Sequence, residues 1–455
     1  MSLSCYSHCH TILSRFQILF LYATPIPQVR QINMLHLELT TRKTGDFVYR
    51  SALLSKGSAF TATKLTYRIA GEYVPEHPRA MDGFAFAVIL NAMKQGKPLH
   101  VHGQMTRTAM YNLEELQQAW SLWRPDLYKH IDISADTIID KPPPVGNRAM
   151  LAFSGGLDST FSALRHRLKL AGSGSYDVRS VLMVQGFDIG RDNDDFFKKA
   201  VERAQKFLDV LSLDMRLIAT NSLNPLFQDW EDSHGAELAC CLHQYSDEFA
   251  YGLIGSTKPY NGLVLPYGSN PATDHLLSGS GFSIVHDGSG HSRTAKAALV
   301  AKYDFAMRQL RVCYQGKLQY RNCGKCEKCM RTYLNFLAVG VERPLCFDVL
   351  PDLAEVACIK THNLAQVAEL NSIVEFAKRR NITAQWLDDL QRSIDTYAPP
   401  SKASQMKAKA RISAKRLAAK SLGYVGLRKP IKKMLHRMYE TSTAPLPAPL
   451  QPPPG

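Results

Sequence analysis

The stretch AFSGGLDSTFSAL, residues 152–164, breaks an apolar run with Ser154, Gly155, Gly156, Asp158 and Ser159, and apolar spacing resumes at Phe161, Leu164 and Leu168. This reads as a strand ending at Phe153, a loop, and a helix starting near Ser159. The loop's main-chain N–H groups then lie at a helix N-terminus, whose partial positive charge favours phosphate. Gly155 and Gly156 let the backbone approach an anion closely, and Ser154 and Ser159 add hydroxyl donors. Asp158 would repel phosphate unless a cation bridged the two, so Mg²⁺ is expected. The loop is not GxxxxGK[ST], because its glycines are adjacent and it holds no Lys. A Gly-Gly turn with a Ser or Asp helix cap is the plainer alternative.

Downstream, VLMV (181–184) and RLIA (216–219) are apolar enough to be buried strands, and Phe197, Val201, Ala204, Leu208 and Leu211 share a helical face between them. This alternation predicts an α/β fold, a parallel sheet with helices on both faces. LVL (263–265) is expected to be a further central strand. Ligands collect at the carboxyl ends of such strands, so the loops 154–159, 185–193 and 266–275 are expected to face one crevice.

Before the loop, residues 34–140 mix alternating stretches, LHLEL and KLTYRI, with one helix. A capping box at Asn112 and Glu115 signals that helix, whose face carries Leu113, Leu116, Trp120 and Trp123. These residues are expected to form a small α+β domain, closed by the stiff linker KPPPVGN (141–147). A nucleotide-binding domain is expected at 145–340, a helical region at 341–398, and a basic, partly helical tail with a Pro-rich end at 399–455. Residues 1–33 read as an extension or a mis-assigned start, since Met34 opens the more strand-like MLHLEL.

The chain has 455 residues, 45% hydrophobic and 21% charged, enough to bury a sizeable core. Its most apolar early stretch, FQILFLYA (16–23), is less than half of the roughly 20 residues that cross a bilayer. Neither a transmembrane segment nor export is expected, which predicts a cytoplasmic protein. The net charge of +15 is concentrated at the end: from Ser401 onward, twelve Lys or Arg face the single acid Glu440, leaving +4 on the preceding 400 residues. Ile431, Met434, Leu435 and Met438 form an apolar stripe among Lys432, Lys433 and Arg437. Residues 402–438 are therefore the expected contact with an anionic polymer, a membrane surface or a protein partner, a solvated tail being the alternative.

Ten cysteines are present, and Cys313, Cys323, Cys326 and Cys329 crowd into VCYQGKLQYRNCGKCEKCMRTYLNF (312–336). Four thiolates suit a closed zinc site; Gly324 permits the tight turn, and Lys325, Lys328 and Arg331 offset the negative charge. An iron–sulfur cluster is the competing reading. Cys240, Cys241, Cys346 and Cys358 are expected to be buried small apolar residues.

SGGLDS followed by this cysteine pattern resembles the PP-loop ATP pyrophosphatase superfamily, in its 7-cyano-7-deazaguanine synthase branch, over about residues 149–339. The resemblance implies ATP, Mg²⁺ and Zn²⁺ as cofactors. It implies ATP contacts from Ser154, Gly155, Gly156, Leu157, Asp158 and Ser159, with Asp158 and Ser159 as catalytic residues. The β- and γ-phosphates would be held and the α-phosphorus left open, so that a carboxylate or similar oxygen of a small, deazapurine-like substrate is adenylylated for attack by ammonia or another nucleophile. GFDIG (186–190) resembles the family's acidic segment, which implies Asp188 near the nucleotide or its metal; a helix-capping Asp is the alternative. The chain departs from the family at Ile189, Gly190 and Arg191 and in its extra N-terminal and tail segments, which leaves the substrate open. Proteins of this longer build resemble members encoded in anti-phage defence or surface-polymer gene clusters.

Asp274, His286, Arg293 and Lys296, with His275, Asp287 and His291, are candidates to bind a small acidic substrate, an ordinary polar loop being the alternative. Neither Met1 nor Met34 is followed by Cys, so no N-terminal-nucleophile glutaminase is expected and nitrogen would come free or from a partner. Two other functions stay open: a non-catalytic ATP-binding module that recruits a partner, and an enzyme modifying nucleic acid or protein in a defence or surface-polymer pathway.

Overall fold

Leu35, Leu37 and Leu39 alternate with polar residues, and this period of two forms β1 (Leu35–Thr44), which turns at Gly45 (φ +54°) into the antiparallel β2 (Phe47–Ser55). The structure, a computed structural model, describes residues 34–398 except 58–61, 72–73, 141, 143–145, 223–225, 227–228, 314, 316–317, 319, 360 and 362. The extension at 1–33 and the basic tail, including the stripe at 431–438, lie outside the described residues.

From β2 the chain continues through β3 (Thr63–Ala70), α1 (Asp82–Gln95), β4 (Leu99–Thr106), α2 (Arg107–Trp123) and β5 (Ile133–Ile139). Strand and helix then alternate: β6 (Arg148–Ala152), α3 (Leu157–Arg167), β7 (Asp177–Gln185), α4 (Asp194–Leu211), β8 (Asp214–Thr220), α5 (Trp230–His243), β9 (Tyr251–Gly255) and β10 (Ser283–Asp287). Five helices follow: α6 (Arg293–Val300), α7 (Asp304–Gln309), α8 (Glu327–Ala338), α9 (Leu364–Arg379) and α10 (Gln385–Asp395). No helix among the described residues is long and apolar enough to cross a membrane.

The strands form one α/β sheet in the order β10-β9-β6-β7-β8-β3-β2-β1-β4-β5, parallel except where β3 pairs with β8 and β2 with β3 and β1. The α+β part and the parallel part therefore share a single hydrogen-bonded layer, joined where Tyr67, Arg68 and Ile69 face Thr220, Ala219 and Ile218. In the parallel part, Met150, Ala152, Leu182 and Ile254 pack toward α1 and α5, and Leu151, Val181, Met183 and Leu253 pack toward α3, α4 and α6. Helices thus cover both faces there. β1 to β4 bury Leu35, Leu37, Val48, Leu65 and Val101 in the same core as α1 and α2. Their other face is polar and carries His36, Glu38, Thr40, Ser51, Lys64 and His100.

Three expectations are corrected. LVL (263–265) is not a strand: it follows a single 3₁₀ turn at Tyr260–Gly262, and Leu265 is exposed. The central strand is β9, sequence YGLIG, whose glycines disguise it; a Cβ on Gly252 would come within 2.8 Å of the Phe282 ring. The helix read from Asn112 begins earlier, at Arg107, because the Thr106 hydroxyl caps it by accepting from the Ala109 N–H at 3.2 Å. That hydroxyl in turn donates to buried Asp82 at 2.7 Å, while Asn112 lies inside the helix and donates to the Ser278 carbonyl. The sequence reading also held no helix at 82–95; α1 is buried over most of its circumference and lacks an amphipathic stripe to announce it.

One buried acid makes this core sensitive to pH. Burial pushes the Glu237 carboxyl of α5 up to about 7 from its ordinary 4.5, against a small opposing pull from the Ser222 hydroxyl. Between those values unfolding releases a proton, so this group's contribution falls as pH rises through the window. Glu237→Gln is expected to stabilise the fold at pH 8 by up to about 3 kcal/mol and to change little at pH 5, as read by denaturant unfolding at both pH values.

Candidate nucleotide site and cysteine cluster

The turn after β6 is built by its glycines. Gly155 sits at φ +74°, where a side chain would be strained, and Gly156 is the N-cap of α3. The Ser159 hydroxyl folds back to the Gly156 carbonyl at 3.2 Å, and the Ser154 hydroxyl accepts from the Gly156 N–H at 3.3 Å. Leu157 anchors the first turn of α3 in the core.

Asp158, two residues after Gly156, is largely buried and meets two of the expected substrate-binding cations. Arg293 Nη2 lies 2.6 Å from Asp158 Oδ2, and Lys296 Nζ lies 3.2 Å from Oδ1. Burial raises the Asp158 carboxyl, but the charges of Arg293 and then Lys296 outweigh it and hold it at about 2. Lys296 also donates to the Ser256 hydroxyl at 2.8 Å, just past the end of β9. Arg293 reaches on to Glu369 of α9 at 3.2 Å, and Arg331 of α8 closes the network by pairing with Glu369 and, at 3.0 Å, with Glu327. The charge of Asp158 is thus balanced by side chains, so the repulsion argument for Mg²⁺ does not carry over; any Mg²⁺ would answer to the nucleotide.

Asp188 is tied to the same loop through Arg311, which pairs with its carboxylate and donates to the Ser154 carbonyl at 2.9 Å. Asp188 does not cap α4, whose N-cap is Asn193. Tyr267, from the third expected loop, is raised to about 12 by burial and then by Glu231, and it also lies in the field of Arg293 and Asp158. Asp274 and His286 form a separate buried pair at 2.7 Å, with Asp274 also accepting from Ser269 and the Asn270 N–H. Asp287 is engaged by Ser162, Arg165 and His166, His291 packs on Phe161, and His275 is exposed. Arg311 and Glu369 were not candidates from sequence. Arg311 lies 123 residues from Asp188 and Glu369 lies 76 residues from Arg293, and neither stands in a motif.

Cys313, Cys323, Cys326 and Cys329 place their sulfurs within 4.8 Å of one another, with Cys323–Cys329 at 3.9 Å and Cys326–Cys313 at 3.8 Å. Zinc–sulfur bonds of 2.3 Å in a tetrahedron require sulfurs about 3.8 Å apart, so the four cysteines can hold a metal such as zinc. The Cys323 sulfur accepts from the main-chain N–H of Lys325 and Cys326, and the Cys326 sulfur accepts from that of Cys329. Gly324, at φ +69°, makes the turn; a Cβ there would come within 2.5 Å of the Val349 carbonyl. Of the other cysteines, Cys240, Cys241 and Cys346 are buried as expected, but Cys358 is exposed, since it ends a 3₁₀ turn that buries only Val356.

Compared with family models, curated proteins and solved structures, the chain matches none of them.

Removing Arg293 leaves two largely buried carboxylates, Asp158 and Glu369, short of a partner. Arg293→Ala is expected to cost about 3–5 kcal/mol in denaturant unfolding, with Arg293→Lys recovering part of it. Loading the protein with Co²⁺ is expected to give the intense near-ultraviolet sulfur-to-metal absorption of a tetrathiolate site, and Cys326→Ser to diminish it.

Proposed function

We propose that the chain binds ATP with Mg²⁺ at the loop 154–159 and adenylylates a carboxylate or similar oxygen of a small acidic substrate, with zinc as a structural ion in the cysteine cluster. One observation carries this reading: adjacent glycines, one at φ +74° and one capping α3, lie in a loop ringed by Arg293, Lys296 and Arg311. Main-chain N–H groups at a helix start, together with fixed cations, are the donor set a polyphosphate needs.

In the proposed reaction the substrate oxygen attacks the α-phosphorus, the bond from that phosphorus to the bridging oxygen breaks, and pyrophosphate leaves. Arg293 and Lys296 would take the charge that develops, dividing their hydrogen bonds between Asp158 and phosphate, and a Mg²⁺ bound with the nucleotide would supply further positive charge there. Ammonia or another nucleophile then displaces AMP from the activated acid.

A cavity of about 690 Å³ beside the end of β7 is lined by Arg42, Lys64, Arg68 and Arg191, with Asp194 as the only acid among the described residues that line it, and its charge favours an acidic substrate such as a deazapurine carboxylate. The His286 ring is oriented through Nδ1 by Asp274, and its buried Nε2 has no hydrogen-bond partner among the described residues.

The test is pyrophosphate release from ATP in the presence of candidate acids. Gly155→Val, which puts a branched side chain at a positive φ, is expected to lower the rate about 100-fold or more. Formation of ADP and phosphate alone, or an unchanged rate in that variant, overturns the proposal.

A further inference from the structure

The polar face of the sheet brings together a second set of side chains of metal-ligating type, far in sequence from the cysteines. β1, β4 and β5 are parallel neighbours, with His36 opposite His100 and His100 opposite Ser134. Alternation along β4 would put His100 and His102 on this face, and a β-bulge adjusts the second: the register with β5 shifts between Val101 and Gln104, at His102 and Gly103. Gly103 takes φ +122° there and donates its N–H to Asp136 Oδ2 at 2.9 Å. That contact fixes the carboxylate with Oδ1 turned toward both imidazoles, 2.8 Å from His100 Nε2 and 3.7 Å from His102 Nδ1.

We propose that His100 Nε2, His102 Nδ1 and Asp136 Oδ1 bind a divalent cation of the zinc class on the polar face of the sheet. Ligands 2.0–2.2 Å from one ion stand about 3–3.5 Å apart, and the two separations bracket that span. Each imidazole also has a partner for its remaining nitrogen: His100 Nδ1 lies 2.9 Å from the Ser134 hydroxyl, and His102 Nε2 lies 3.1 Å from His36 Nδ1. Such outer contacts fix the ring orientation and the tautomer that a metal-binding histidine needs. The His100, His102 and Asp136 side chains are 22%, 39% and 49% exposed, so an ion enters from solvent and keeps coordination positions open to water or an acidic ligand. This set is independent of the nucleotide loop.

The experiment dialyses the full chain against low-micromolar zinc and measures metal per protein by elemental analysis. Wild type is expected to hold two equivalents. Cys326→Ser is expected to lose one of them, and the His100→Ala/His102→Ala double variant the other, with the cysteine site's Co²⁺ absorption unchanged. Asp136→Asn and His36→Ala, both mild surface changes, are expected to weaken the second site about 10- to 100-fold. A single equivalent in wild type, or a second equivalent that survives the double histidine variant, overturns the proposal. Neither result bears on pyrophosphate release.

Discussion

A carboxylate withdrawn from water at the start of a helix is stable only if cations follow it inward. Asp158 draws in Arg293 and Lys296, and their other partners carry the constraint outward to Ser256 after β9 and Glu369 on α9. Glu369 is shared with Arg331, and Arg331 with Glu327, which directly follows the cysteine Cys326. The glycine loop and the cysteine cluster are therefore ends of one chain of charges, and each fixes α8 from its own side.

The parts legible in the sequence are those whose signal is local. The strand, loop and helix around Gly155, the helix at 194–211 and the spacing of the four cysteines each follow from neighbouring residues, and the structure places all three near where the pattern does. The failures share a cause as well. β9 lost its strand character to Gly252, which is required by Phe282, just before the adjacent edge strand, and the start of α2 is fixed by Asp82, a partner 24 residues upstream of Thr106. Arg311 and Glu369 likewise act over distances that no window spans. Arg293 and Lys296 stand out as cations in a polar stretch, but nothing local marks Asp158 as their counter-ion.

The two halves of the sheet also differ in what their strands can hide. From β6 to β9 both faces are covered, so the middle of each strand, such as VLMV (181–184) in β7, is apolar without alternation. From β1 to β5 one face is covered, and the alternation that results puts basic and histidine side chains in register on the other. Such a face tolerates polar convergence because water remains near enough to solvate what the neighbours do not satisfy.

The junction between the halves decides how the cavity is made. β8 would be an exposed edge without β3, and its Ile218 and Ala219 main-chain groups would be open to pairing with another chain. β3 covers that edge, and the contact is reinforced by Asn221, which accepts from the Thr66 N–H at 2.7 Å and donates to the Lys64 carbonyl at 3.1 Å. Arg191, in the loop after β7, donates to the Thr66 hydroxyl at 3.1 Å. The basic cavity thus takes its floor from the N-terminal strands and its wall from the loop that carries Asp188. Removal of the N-terminal strands would leave the glycine loop with its cations but deprive the cavity of Arg42, Lys64 and Arg68, so in the proposed reaction those strands would act on the choice of acidic substrate and the loop on the phosphates.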